Sequence, residues 1–209
     1  METLIEIAKR LKIKTDKYRG SHNPKGHTYL EEYENLFQDY KNLEINILEI
    51  GVCSGNSLKL WAEAFPKAKI YGIDVFKRTK KKIVENLLKK YDNVFLHTAD
   101  SVRNFEKSIK QRQVFFDDIG DELFHIIIDD GDHKPKSQLK TFNNFKHLLH
   151  SDGKYIIEDV WGWDGHNKNC TCSDTSIDYL KNNISNLQII DMNDDYGIYK
   201  DNVLAVYKN

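Results

Sequence analysis

Cysteine is scarce in this chain of 209 residues: Cys53, Cys170 and Cys172 are the only three. Three unevenly placed thiols make no disulfide framework, so the chain reads as a reduced, cytoplasmic protein. Cys170 and Cys172 supply two thiolates where a tetrahedral metal site needs four ligands, and they read as part of a polar loop. An excess of charge of one sign is also missing, since 31 basic and 32 acidic side chains leave a formal net charge of −1. Nucleic acid binding calls for a basic surplus, which disfavours that class. The run Lys77-Arg78-Thr79-Lys80-Lys81-Lys82 reads as the solvated start of a helix. No apolar run is long enough to span a bilayer. Met1 to Lys14 alternates charges with Leu and Ile and lacks the apolar centre of a signal peptide. No repeat or linker divides the chain, so the expectation is one domain over residues 1–209, with no membrane or nucleic acid partner.

What is present is an ordinary load of hydrophobic side chains, 40%, in a changing rhythm. In residues 1–42, Leu4, Ile5, Ala8 and Leu11 have helical spacing, residues 14–28 read as a loop, and Leu30, Tyr33, Leu36 and Phe37 mark a second helix over 29–40. This piece reads as a helical cap on a core spanning 43–209. In that core, strands are expected at 45–51, 69–74, 94–97, 123–129, 154–158, 187–191 and 203–207. Helices are expected at 57–65, 79–91, 102–111, 135–149 and 176–183, and a long polar loop at 161–173. Strands alternating with helices imply an α/β fold with a mostly parallel sheet. Ligands on such sheets bind outside the carboxyl ends of the strands.

Those ends carry acids and glycines. The first strand runs through Glu49 and Gly51 into Cys53-Ser54-Gly55-Asn56-Ser57. Its two glycines bracket a tight turn that lets backbone pass close to a ligand. The third glycine of a dinucleotide fingerprint and the lysine of a P-loop are both missing, which makes a dehydrogenase or a nucleotide hydrolase a poor fit. Asp74 ends the second strand about 20 residues past the turn, where an acid would bridge the ribose hydroxyls of a nucleoside. Asp100-Ser101 follow the third strand, and for Asp100 a helix-cap role competes evenly with a ligand role.

Glu49-Ile50-Gly51-x-x-x-Gly55 followed by Gly72-Ile73-Asp74 resembles the cofactor-binding pair of class I S-adenosylmethionine-dependent methyltransferases. The resemblance implies a Rossmann-like fold with a seven-stranded, mostly parallel sheet and helices on both faces. It implies that Asp74 holds the ribose, that Gly51 and Gly55 border the methionine moiety, and that Asp100 and Ser101 approach the adenine. Glu49, Asn56 and Ser57 of the same turn, Asp129, and Tyr29 of the cap complete the expected cofactor set.

A second constellation is formed by Asp129-Asp130-Gly131-Asp132-His133 after the fourth strand and Glu158-Asp159 after the fifth. If these strands are neighbours, Asp130, Glu158 and Asp159 meet with His133 beside them. Carboxylates gathered in one cleft repel unless a cation sits among them, and oxygen ligands suit a hard ion such as Mg²⁺. A histidine near neutral pKa suits a general base. Asp132 reads as a cap for the next helix, and Asp129 would alternatively stand behind the metal ligands.

Asp-Asp-Gly-x-His with a later Glu-Asp pair is similar to the metal-dependent macrolide sugar O-methyltransferases of the mycinamicin and tylosin type and their cephalosporin hydroxylase-like relatives. That resemblance implies Mg²⁺ on Asp130, Glu158 and Asp159, and His133 as base. It implies a small hydroxyl acceptor such as a glycoside, and homo-oligomer formation. Thr15-Asp16-Lys17, His27-Thr28-Tyr29 and Tyr33 resemble segments that fold over the cofactor. Asp132 departs from the usual serine, and the segment after Asp159 matches no pattern, although Trp161, Trp163 and Tyr196 offer an apolar wall for a sugar ring or simple packing. A catechol-type O-methyltransferase and a catalytically silent binding module of the same fold are the competing readings.

Overall fold

The computed structural model describes residues 2–19, 26–102, 109–160, 176–193 and 202–208, with backbone alone for 109–113. Seven strands form one sheet: β1 (Asn46–Ile50), β2 (Lys69–Asp74), β3 (Val94–Thr98), β4 (Phe124–Asp129), β5 (Leu149–Ile157), β6 (Leu187–Asp191) and β7 (Val203–Lys208). Their order is β3-β2-β1-β4-β5-β7-β6. Pairs among β1 to β5 are parallel, and β7 runs antiparallel to both β5 and β6. This is the Rossmann-like methyltransferase arrangement.

The period of two along the strands decides which side chain meets which helix layer. Ile47, Ile70, Ile126, Ile128 and Ile156 pack with α1 (Leu4–Arg10), α2 (Tyr29–Phe37) and α3 (Asn56–Ala64). Leu48, Ile50, Ile73, Ile127 and Ile157 face the other way, toward α5 (Ile109–Ile119), α6 (Pro135–Phe145) and α7 (Ser176–Asn183). The basic segment forms α4 (Lys81–Leu88), which buries Val84 and Leu88. With both faces covered, the central strands are continuous apolar runs rather than alternating ones.

The N-terminal helices are locally specified. Thr3 and Glu6 form a reciprocal capping box at the start of α1. Helix α1 then rests on α2 and α3. Tyr33 and Phe37 of α2 stack at 4.9 Å, and Trp61 of α3 meets Tyr33 edge-on at 5.6 Å, contacts worth roughly 1 kcal/mol each beyond their buried area.

The helix expected over 102–111 falls mostly on residues 103–108, which lie outside the described residues, and α5, over Ile109–Ile119, continues past the expected end at 111. The buried pair Phe115 and Ile119, four residues apart, sets the packed face of α5. Gly120, at φ +58°, then stops it as a left-handed C-terminal residue. The helix expected over 135–149 gives way to a 3-10 turn at Lys146–Leu148, and β5 begins already at Leu149.

The order in which strands are added to the sheet reverses between the parallel neighbours β1 and β4, and an open α/β sheet parts its loops at such a point. Register pairs Ile50 with Asp129, and Asp129 with Ile157. Gly51, Asp130 and Glu158 therefore leave the sheet side by side.

Candidate active site

A cleft of about 440 Å³ opens over these strand ends. Gly51, Asp74, Asp100, Ser101, Asp130 and His133 all line it. Gly51 has φ +95°, and a Cβ there would lie 1.9 Å from the carbonyl oxygen of Asp130. No other residue fits where the β1 and β4 turns touch. Gly55, at φ +81°, caps α3, and a Cβ there would meet Val84 at 2.6 Å.

At this end the acids are fixed by backbone. Asp74 accepts from the amide of Cys53 at 2.8 Å through Oδ2 and from that of Phe76 at 2.6 Å through Oδ1. Asp100 accepts from the amide of Val102 at 2.9 Å. Ser101 Oγ lies 3.3 Å from Thr141 Oγ1. Of the six non-glycine residues with positive φ among the described residues, Lys12 and Asn186 lie elsewhere, and the other four are Cys53, Phe76, His133 and Asp159, at φ +48° to +55°. They follow β1, β2, β4 and β5 respectively, so the strained backbone collects where a ligand would bind.

Not every expected cofactor residue reaches the cleft. Asn56 and Ser57 sit in the first turn of α3, where Asn56 donates to Ser54 Oγ at 2.8 Å, and neither lines the cleft wall. Glu49 is fully buried and accepts from the indole N–H of Trp61 at 2.8 Å through Oε2. Burial pushes its carboxyl up to about 7, against the pull of Lys17. Asp129 is buried with Oδ2 accepting no hydrogen bond, and burial pushes its carboxyl up to about 8. Tyr29 is buried too, and its hydroxyl donates to Asp159 Oδ1 at 2.7 Å.

The second constellation comes together at the ends of β4 and β5. The imidazole of His133 bridges two carboxylates, with Nε2 at 3.1 Å from Asp130 Oδ1 and Nδ1 at 3.0 Å from Asp159 Oδ2. Burial would lower its pKa, but hydrogen bonds to Asp130 and Asp159 outweigh this and push it up to about 11. Burial likewise disfavours charge on Asp159, yet the contacts of His133, His27 and Tyr29 hold it below the usual carboxylate range. Asp130, His133 and Asp159 offer ligand atoms within 4.8 Å of one another, the one such group of three among the described residues.

Glu158 belongs to the same cluster but turns inward. Its Oε2 lies 2.6 Å from the ammonium of Lys17, and its Oε1 accepts from the hydroxyl of Tyr33. Lys17 also meets Asp130 Oδ2 at 2.6 Å and Glu49 Oε1 at 3.6 Å, with its side chain fully buried. Lys17 is the functional residue that sequence reasoning undervalued. Thr15-Asp16-Lys17 was noted only as a covering segment, although the acids counted at the strand ends already called for a buried cation. Asp132 is bound outward by the side chains of Lys134 at 2.8 Å and Ser137 at 2.7 Å, and it does not cap α6 as expected, since the N-cap is Lys134 with no side-chain cap bond. Trp161, Trp163, Tyr196, Cys170 and Cys172 lie outside the described residues.

Known proteins resemble this chain in the same regions. Residues 48–160 match the family described as "Methyltransferase domain". Mycinamicin VI 2''-O-methyltransferase of Micromonospora griseorubida is 29% identical over 177 residues, covering 78% of this chain and 40% of that protein. Demethylmacrocin O-methyltransferase of Streptomyces fradiae is 24% identical over 183 residues, covering 82% of this chain and 42% of that protein. Among solved structures, the mycinamycin-pathway methyltransferase MycE, in complex with Mg, SAH and mycinamycin VI, superposes with a TM-score of 0.68 at 25% identity. That match covers 99% of this chain and 54% of MycE, so the chain spans about half the length of the proteins it resembles.

Proposed function

The chain belongs to the methyltransferase domain family, and from this premise we propose that it transfers a methyl group from S-adenosylmethionine to a hydroxyl of a sugar or another small polyhydroxylated molecule, with the help of Mg²⁺ or a similar ion. The observation that carries the reading is the pairing, in one cleft, of a glycine turn facing Asp74 with a carboxylate-histidine cluster on the neighbouring strand ends. The relatives named above act, by their names, as O-methyltransferases, and one is seen with Mg and SAH.

The donor set fits a hard divalent ion. Asp130, Glu158 and Asp159 would hold it, three carboxylates in one cluster that Lys17 and His133 join among the described residues. When bound, S-adenosylmethionine supplies an electrophilic methyl, and the metal lowers the pKa of a hydroxyl it touches. The chain's own residues do the rest. Gly51, on the cleft wall, admits the methionine portion, whereas Gly55 packs against Val84, and Asp74 presents a carboxylate already aimed by two backbone amides, so orienting it costs little on binding. Asp100 and Ser101 line the farther wall. His133 is placed to take the acceptor's proton. Between two free carboxylates it keeps its own proton, so its work as a base requires that Asp130 and Asp159 spend their charge on another cation.

Calorimetric titration with S-adenosylmethionine, with and without Mg²⁺, tests the reading, followed by turnover on a panel of glycosides and catechols. Micromolar cofactor binding and methylation of a glycoside are expected. Activity on catechols alone would reassign the acceptor. A cleft that binds no cofactor would identify a silent module of the same fold.

A further inference from the structure

The six carboxylate oxygens of Asp130, Glu158 and Asp159 are all in use. Lys17 takes Asp130 Oδ2 and Glu158 Oε2, each at 2.6 Å. His133 takes Asp130 Oδ1 and Asp159 Oδ2. Tyr33 takes Glu158 Oε1, and Tyr29 takes Asp159 Oδ1. An ion that enters between Asp130 and Glu158 meets the Lys17 ammonium, which lies on one oxygen of each, while Tyr33 holds the other oxygen of Glu158. Tyr33 is fixed, since its ring is buried and packed against Phe37 and Trp61. Lys17 ends in a point charge on a flexible stem.

A destination for that charge exists. Glu49 Oε1 is completely buried, accepts no hydrogen bond, and lies 3.6 Å from the Lys17 nitrogen. A movement of about 1 Å would bring the ammonium to charge-assisted hydrogen-bond distance from it. A divalent ion about 2 Å from the same two oxygens would stand close against an ammonium 2.6 Å from each, and the two positive charges repel.

We propose that Lys17 is a resident cation which holds the carboxylates in place until a divalent ion displaces it from Asp130 and Glu158, and that Glu49 receives the displaced ammonium. The inference rests on the metal reading above. It assigns Glu49 to Lys17 and Trp61 rather than to the methyl donor, and it links the ion to the segment carrying Asp16, which lines the cleft beside Asp130.

Mn²⁺ titration of the full chain, followed by the electron spin resonance of the free ion, provides the test, because it reads metal binding without turnover. Lys17→Met should bind Mn²⁺ at least tenfold more tightly than the parent, having no resident cation to evict. Glu49→Gln should bind at least threefold more weakly, having lost the charge that receives the ammonium. Equal or weaker binding by Lys17→Met overturns the displacement, and an unchanged Glu49→Gln overturns the role of Glu49. If neither the parent nor Lys17→Met binds Mn²⁺, the metal reading itself falls, a result distinguishable from the first. Should Lys17→Met fail to fold, the nitrogen resonance of the Lys17 ammonium in the parent decides. It should shift on Mg²⁺ addition, and a resonance unmoved at saturation overturns the proposal.

Discussion

The two ends of the cleft are built on different plans. At the end proposed for the cofactor, each acid is held by amides close to it in sequence or on the next strand: Asp100 by Val102, and Asp74 by Phe76 and Cys53. At the end proposed for the metal the acids are held by side chains from far away, with Lys17 separated by 113 residues from Asp130 and by 141 from Glu158. Backbone-held acids keep their geometry whatever else binds. Acids held by mobile cations form an arrangement that can be exchanged. The difference suits a reaction in which one partner must be gripped and the other activated.

The comparison can be broken most severely at Asp130, which serves both Lys17 and His133. Asp130→Ala should reduce turnover by about 1000-fold or more, as removal of a charge-organising group in a closed site does. It should also lower stability by about 3 kcal/mol, because a buried ammonium loses a partner. Both are read from initial rates and a urea melt, and retention of either would mean the far-held end is less interdependent than described. Asp74→Ala should be selective, weakening S-adenosylmethionine binding about 10- to 100-fold through the loss of charged hydrogen bonds while Mn²⁺ affinity stays within error. Equal damage to both ligands would show that the two ends are not separable.

Tyr33→Phe tests the far-held end more gently. It removes the hydroxyl on Glu158 and should cost about 1–2 kcal/mol in a denaturant melt, with cofactor affinity unaltered. The smallest effect is on pH. Glu49 titrates near 7 in the folded chain against 4.5 ordinarily. The folded state thus binds the proton more tightly, and this contribution is intact below about pH 4.5 and lost as pH rises through 7. Glu49→Gln should flatten the fall in thermal stability over that interval. An unchanged slope would mean that Glu49 ionises as freely folded as unfolded.

How much of this was legible in the sequence follows the same division. Apolar runs closed by an acid located β2 and β4, and one closed by Gly51 located β1, because strands buried on both faces have little choice of residue. Asp74 was legible because its geometry depends on neighbours a short distance along the chain and across one register. The inward turn of Glu158 was not legible. Glu158 and Asp159 are adjacent in sequence, yet one faces Lys17 and Tyr33 while the other, at φ +53°, faces His133 and Tyr29. That parting of neighbours depends on where residues 13–17 lie, which no periodicity encodes. The end of α5 was not legible because the buried pair Phe115 and Ile119 lies past the expected end at 111 and is closed by a single glycine.

Gly51 has a further bearing on the reaction. Its Cα stands where even a methyl group would overlap the carbonyl of Asp130 at 1.9 Å. The turn that would seat the donor and the turn that would seat the ion therefore rest directly on each other, with nothing compressible between them. In the proposed reaction, the gap a methyl group would cross is in effect gauged by one backbone contact. A substitution that forces those turns apart would lengthen the transfer distance while leaving each binding group intact, separating affinity from rate in a protein that still holds everything it needs.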